Sequence, residues 1–239
     1  MELSATRSDI DHAVRQIPVW RHRIRLPHGV VTPGTEDTDA EWRRLRMPSS
    51  LEGRVVLDVG CSDGFYAFAC ERLGADVTAI DDESSMLGGT DRLNGFRTAA
   101  EFLDSTVDYR AADVEDLPAD ETGRYDLVLF LNVLYHLPNP MRALSELARV
   151  TAPGGELVLK THFRTDVRLW LRGRCVQFDI DRRPKWWYYP TTELGGDPTN
   201  WWSPSRSGLR SMLSATGWEQ LDHLATVGDR IYLRAIRGR

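Results

Sequence analysis

The residues best placed to do chemistry lie in one short stretch. Val55-Val56-Leu57-Asp58-Val59-Gly60-Cys61-Ser62-Asp63-Gly64-Phe65-Tyr66 runs from an apolar segment through Gly-x-x-x-Gly into a second apolar segment. Glycines at 60 and 64 let a backbone turn sharply and approach a ligand closely. The Gly-x-Gly-x-x-Gly pattern that seats a pyrophosphate on a helix N-terminus is absent. Asp58 precedes the loop and Asp63 lies within it. Two carboxylates repel a pyrophosphate, whereas they suit a ligand carrying a cationic ammonium and a cationic sulfonium.

The elements around the loop are those of an α/β protein. Arg54–Val59 reads as a buried strand, and Gly64–Leu73 as a helix stopped by Gly74. Asp76–Ile80, Val107–Ala112, Tyr125–Leu131 and Glu156–Thr161 read as further strands. Asn139 is placed to cap a helix with Pro140 in its first turn, ended by Pro153-Gly154-Gly155. This alternation implies a doubly wound, Rossmann-like, mostly parallel sheet with helices on both faces. Ser203-Pro204 opens another helix, and Trp218–Ile236 fits an antiparallel C-terminal hairpin turning near Gly228-Asp229. Before the sheet, residues 8–16 suit a helix capped by Ser8, 18–35 a strand or extended arm, and Asp37–Arg46 a helix. Residues 162–202 lack the rhythm and read as an insertion or lid. One domain over 1–239 is expected: an arm with helices (1–50), a core (51–161), the insertion (162–202) and a C-terminal helix and hairpin (203–239).

Bulk properties narrow the field. The chain has 239 residues, 41% hydrophobic and 27% charged, which suits one α/β domain with a full core. No apolar run approaches the roughly 20 residues that span a bilayer, and the polar N-terminus shows no secretory pattern. Cys61, Cys70 and Cys175 are scattered, so neither a metal site nor a disulfide framework is expected and a cytoplasmic location fits. The net charge of −5 argues against nucleic acid as the partner, since such binders carry a basic excess.

At this point the residues resemble a family. Leu57–Gly64 looks like the first motif of class I methyltransferases that use S-adenosylmethionine (SAM), a ligand with both cationic groups; Ser62 stands where a middle glycine is usual. Ala79-Ile80-Asp81, Ala112–Leu117, Tyr125–Val128 and Pro153-Gly154-Gly155 follow in family order. The resemblance implies a SAM site with Asp81, 21 residues after Gly60, on the ribose hydroxyls; one carboxylate offers the two acceptor oxygens such a diol needs. It places Asp113 on the adenine amine. Asp58, Gly60, Cys61, Ser62, Gly64, Tyr66, Asp82, Val114, Asn132 and Tyr135 complete the expected cofactor set. Val133-Leu134-Tyr135-His136, the arm Trp20-Arg21-His22-Arg23 with Glu41-Trp42-Arg43, and Ser203–Trp218 narrow the resemblance to enzymes that methylate or carboxymethylate 5-hydroxyuridine at the tRNA wobble position.

Candidates for the acceptor side follow from position. Methyl transfer from a sulfonium is an in-line displacement that needs positioning and often a base. His136, after the fourth strand, is the first candidate base; the alternative is that its imidazole shapes the loop. His162, ending the fifth strand beside Lys160, is the second. His22 and Arg23 are read as pocket lining, or else as a solvated basic face. Trp186, Trp187, Trp201 and Trp202 are either a lid over the acceptor or the insertion's own core. Arg164, Arg168, Arg172, Arg174, Arg182, Arg183 and Lys185 make the insertion locally basic, interrupted by Asp166, Asp179 and Asp181. Beside the tryptophans such a surface suits a single strand, and it is equally a solvated pattern. The expected activity is SAM-dependent methyl transfer to an oxygen or nitrogen of a small molecule in specialised metabolism. A tRNA wobble-uridine methyltransferase and a SAM-binding module without transfer activity are the alternatives.

Overall fold

The computed structural model describes residues 5–82, 89–171, 173–180 and 182–239; Arg172 and Asp181 of the basic stretch lie outside the described residues. The backbone divides into two compact units, residues 1–114 and 115–239.

In the first unit, α1 (Arg7–Gln16) and α2 (Thr38–Leu45) precede β1 (Val55–Val59), α3 (Phe65–Glu71), β2 (Asp76–Asp81), α4 (Gly89–Leu103) and β3 (Asp108–Ala111). The strands pair in parallel, β1 with β2 and β2 with β3. Val56, Leu57 and Val59 are almost fully buried, as a near-continuous apolar run in a parallel sheet requires. Thr6, not Ser8, caps α1. Its hydroxyl accepts from the Asp9 backbone N–H at 3.3 Å, and the Asp9 carboxylate accepts from the Thr6 N–H at 2.8 Å, the reciprocal arrangement of a capping box. No helix was expected between β2 and β3. α4 supplies one, with Leu93, Phe96, Ala99 and Phe102 buried along one face. Residues 18–35 form an extended arm, with one bridge between Arg25 and Val31 and a short 3-10 turn at Pro27–Gly29.

In the second unit, β4 (Tyr125–Leu131) leads through a 3-10 turn (Leu134–His136) to α5 (Pro140–Val150) and β5 (Thr151–His162). Then come β6 (Val167–Leu171), β7 (Arg174–Phe178), β8 (Trp186–Tyr188), β9 (Trp202–Pro204), α6 (Arg206–Ala215), β10 (Trp218–Val227) and β11 (Arg230–Arg237). β4 and β5 are parallel; β11 is antiparallel to both β5 and β10. The strands run in the order β1-β2-β3 in the first unit and β10-β11-β5-β4 in the second. They give the mostly parallel, doubly wound arrangement with an antiparallel C-terminal hairpin that the sequence implies. The hairpin turns at Gly228-Asp229, where Gly228 takes φ 61°.

Two details depart from expectation. Asn139 sits at the N-cap of α5, but its side chain makes no cap bond. Its amide instead donates to Glu115 Oε2 at 3.0 Å, while its backbone N–H donates to Glu115 Oε1 at 2.9 Å. Residues 162–202 are more regular than their pattern suggests, since β6 pairs β7 and β8 pairs β9, both antiparallel. Strands of three to five residues are too short to print a period. Among the described residues no helix is long and apolar enough to cross a membrane.

Candidate active site

The first unit builds a turn at the carboxyl ends of β1 and β2, where open α/β sheets bind ligands. Gly60, Ser62 and Gly64 all take positive φ, at 69°, 53° and 87°. A Cβ at Gly64 would lie 2.6 Å from the rings of Phe68 and Phe96, so glycine there meets both a left-handed backbone and a close approach. The Gly60 and Cys61 N–H groups donate to the Ile80 carbonyl at 2.8 and 3.1 Å, and the Ser62 N–H donates to Asp81 Oδ2 at 2.8 Å. The loop is thereby stitched to the end of β2, and Asp81 is drawn to its mouth. The Ala112 N–H donates to the Asp81 carbonyl at 3.1 Å, which brings exposed Asp113 and buried Val114 up behind β2. Asp82 is exposed.

Asp58 is 1% exposed, and its Oδ2 meets no partner; the hydroxyl of buried Ser62 is likewise unpartnered. Burial, with the charge of Asp81 nearby, pushes the Asp58 carboxyl up to about 7. Burial does the same to the Cys61 thiol, which stays protonated. A buried acid with an unsatisfied oxygen, beside the half-buried Asp81, forms an environment that a bound cation relieves. That chemistry fits the cationic amino-acid end of SAM.

Asp63 does something else. Its Oδ2 accepts from the backbone N–H groups of Arg21 and His22 at 2.7 and 3.0 Å, and its Oδ1 faces His22 Nδ1. His22 is 5% exposed and packs edge-on against Tyr66, centroids 5.2 Å apart. The Tyr66 hydroxyl donates to Glu41 at 3.1 Å. Arg23 is exposed and donates to the Gly34 carbonyl at 3.0 Å. Asp63 thus clasps the N-terminal arm to the loop. His22 and Tyr66 belong to that clasp, and Asp63 is held by the arm through both its oxygens, whereas Asp58 keeps one oxygen without a partner.

The second unit gathers Asn132, Tyr135, His136 and His162 at the ends of β4 and β5. Asn132 has φ 64°, donates its N–H to the Lys160 carbonyl at 2.8 Å, and buries an unpartnered Oδ1. The Tyr135 ring lies 4.3 Å from His136 and 4.5 Å from His162 between centroids, with the Arg230 guanidinium 5.2 Å over its face. His136 Nδ1 lies 2.9 Å from the Thr199 carbonyl and 3.0 Å from its hydroxyl. The Trp201 N–H donates to the Tyr135 carbonyl at 2.9 Å, and Trp202 Nε1 donates to the Leu137 carbonyl at 2.9 Å. The 3-10 turn and residues 199–202 are therefore one tied structure, and His136 helps shape it.

His162 is 1% exposed. Its Nδ1 lies 3.2 Å from Asp229 Oδ2 and in contact with Arg230 Nη1, while its Nε2 has no partner. Burial pulls its pKa down, and the hydrogen bond from His162 holds the Asp229 carboxyl well below the usual range. Asp229 and Arg230 were not singled out in the sequence. The Gly-Asp turn was visible, but the register that sets Arg230 opposite His162 was not.

The tryptophans pack partly on one another. Trp202 lies edge-on to Trp186 at 6.0 Å and tilted on Tyr188 at 5.1 Å, and Arg164 sits 5.3 Å over Trp187. Trp186, Trp187, Trp201 and Trp202 each remain half-buried.

The sheet order and this loop define the fold of class I SAM-dependent methyltransferases. Residues 57–159 match the family described as a methyltransferase domain. It is 42% identical over 115 residues (48% of the chain, 46% of the relative) to a ubiquinone biosynthesis O-methyltransferase of Xanthomonas oryzae pv. oryzae. It is 37% identical over 158 residues (66% and 47%) to a tRNA U34 carboxymethyltransferase of Methylococcus capsulatus. The chain spans just under half the length of these curated relatives. Among solved structures, the N-terminal domain of EvdMO1, in the presence of SAH and D-fucose, matches with TM-score 0.64 and 20% identity over 98% of both chains. A SAM-dependent methyltransferase from Mesorhizobium loti matches with TM-score 0.58 and 20% identity, over 83% of this chain and 98% of that one.

Proposed function

We propose that the chain transfers a methyl group from SAM to an oxygen or nitrogen of a small molecule, in the cytoplasm and within specialised metabolism. The observation that carries the cofactor half is the buried, partnerless Asp58 oxygen beside an Asp81 held by Ser62. In this reading Gly60, Cys61, Ser62 and Gly64 cradle the cofactor and Asp58 answers its cationic end. Asp81, with Asp82, takes the ribose, Asp113 and Val114 the adenine, and Asn132 and Tyr135 help position it. SAM, when bound, supplies an electrophilic methyl group on sulfur. The half-exposed faces of Trp186, Trp187, Trp201 and Trp202 contact the acceptor, and Arg23 remains available for an anionic one.

An acidic chain favours a small molecule over nucleic acid, whose binding rests on phosphate contacts. The tRNA reading keeps support from the relative in Methylococcus capsulatus and from the basic residues of 164–185. The test is labelled SAM incubated with a metabolite extract and, separately, with bulk tRNA at two salt concentrations. Label in the small-molecule fraction supports the proposal. Salt-sensitive binding with label at the anticodon promotes the tRNA reading. SAM binding without label in either fraction leaves a binding module.

A further inference from the structure

The loop after β1 is closed by a turn that its own residues do not favour. The Gly64 N–H donates to the Cys61 carbonyl at 2.9 Å, so Ser62 and Asp63 are the two central residues. Ser62 takes φ 53°, and a first central residue with positive φ is ordinarily glycine, asparagine or aspartate. A serine held there stores strain, which persists only where the surroundings over-determine the shape. The strained residue is also a structural hinge of the loop, because the Ser62 N–H holds Asp81 Oδ2 at 2.8 Å. A turn that relaxed would lose that bond and the placement of Asp81 with it.

The N-terminal arm is what fixes the turn. Asp63 is 1% exposed; its Oδ2 accepts from the Arg21 and His22 backbone N–H groups, and its Oδ1 faces His22 Nδ1. A carboxylate accepts in several directions at once, so these three groups set both the position and the rotation of the residue next to Ser62. The arm in turn is doubled on itself. Thr32 Oγ1 donates to the His22 carbonyl at 2.6 Å and accepts from the Ile24 N–H at 2.8 Å, and the Glu36 N–H donates to the Arg21 carbonyl at 3.0 Å. Gly34 makes the doubling possible, since a Cβ there would overlap the backbone carbonyl of His22.

We propose that the arm is a working part of the cofactor site. Docked on Asp63, it holds the Cys61–Gly64 turn in the shape that takes SAM; released, it lets the turn relax and the affinity fall. The inference rests on the reading that this loop cradles SAM. Asp63 is a positioning residue, which acts on the cofactor through Ser62 and Asp81. Coupling of this kind is reciprocal, so bound SAM tightens the arm by the factor with which the docked arm tightens SAM. The arm is thus a second control on SAM affinity, separate from the groups that face the cofactor.

The test is calorimetry of SAM on the full chain, with substitutions that leave the loop's acids in place. Gly34→Ala displaces the arm through its own fold, and SAM affinity is expected to fall by about five- to 150-fold, the usual range of coupling between sites. Ser62→Gly frees the turn of its strain, so adding it to Gly34→Ala should return most of the lost affinity. An unaltered Kd in a Gly34→Ala protein whose arm amides exchange freely overturns the inference. An equal loss with and without Ser62→Gly overturns it as well. Hydrogen exchange on the wild type needs no substitution: SAM should slow exchange of the Arg21 and His22 amides, which donate to Asp63, by a comparable factor. Unchanged exchange at those amides with SAM bound overturns the proposal even where Gly34→Ala fails to fold. A wild type that binds no SAM counts instead against the cofactor reading of the loop.

Discussion

The ends of β1 and β2 and the ends of β4 and β5 treat their acids in opposite ways. At the first pair, Asp58 is left with an unanswered oxygen beside a second carboxylate, Asp81. At the second pair, Asp229 is matched by both His162 and Arg230, and what is left unanswered is a neutral nitrogen. An unpaired buried acid is a site that waits for a cation. A paired acid leaves no charge for a cation to answer.

The largest effect that tests this contrast is on cofactor affinity. Asp81→Ala should weaken SAM binding by about 1.5–3 kcal/mol for each ribose bond lost, tens-fold or more in Kd by calorimetry. Thermal unfolding without cofactor should change much less. An unaltered Kd would take Asp81 off the ribose. Wild-type protein at about 100 times the Kd of SAM should gain about 2.7 kcal/mol of stability, and a flat thermal shift would break the cofactor half of the comparison.

Next in size is the clasp. Asp63→Ala leaves two N–H groups, that of buried His22 and that of half-buried Arg21, without their acceptor, at up to about 1–3 kcal/mol each. Urea unfolding should register that loss, whereas Asp229→Ala, whose carboxylate is half exposed, should cost less.

Asp58 offers a smaller and sharper test through pH. Its folded pKa, about 7, lies above its unfolded value near 3.8. The folded state therefore binds the extra proton between those values, and stability without ligand falls as pH rises from about 4 to about 7. Asp58→Asn should flatten that fall and still lose SAM affinity. A variant with the wild-type slope would mean that Asp58 is not the strained acid. The smallest effect is expected at Arg164→Ala, which removes an exposed stacking contact on Trp187 worth about 0.5–1 kcal/mol, with SAM affinity unchanged.

What could be read beforehand was local. Gly60 and Gly64 announce a turn after an apolar run, Asp81 ends the next run, Pro140 starts a helix, and Gly228-Asp229 turns a hairpin. α4 was also legible in principle, because Leu93, Phe96, Ala99 and Phe102 recur every three residues; the glycines at 88, 89 and 95 masked the pattern. What could not be read was long-range. Nothing near Asp63 says that its partners lie at 21 and 22, so it looked equivalent to Asp58. His162 looked like one of two candidate bases, and only the pairing of β11 with β5 supplies Asp229 and Arg230. Whether the tryptophans cover an acceptor or pack the insertion stays open in the sequence, because three-residue strands carry no period, and their mutual packing is visible only in β8 and β9.

The clasp also bears on the order of assembly. Asp63 joins residues 42 and 41 positions earlier in the chain, and closing a loop of that length is an entropic cost met before the contact returns anything. The glycine turn after β1 can form early from its neighbours, but its far side is held only once the arm has come home. A backbone cut between residues 22 and 63 would release the arm from that closure, and the loss should appear as slowed refolding of the first unit even where the final structure is regained.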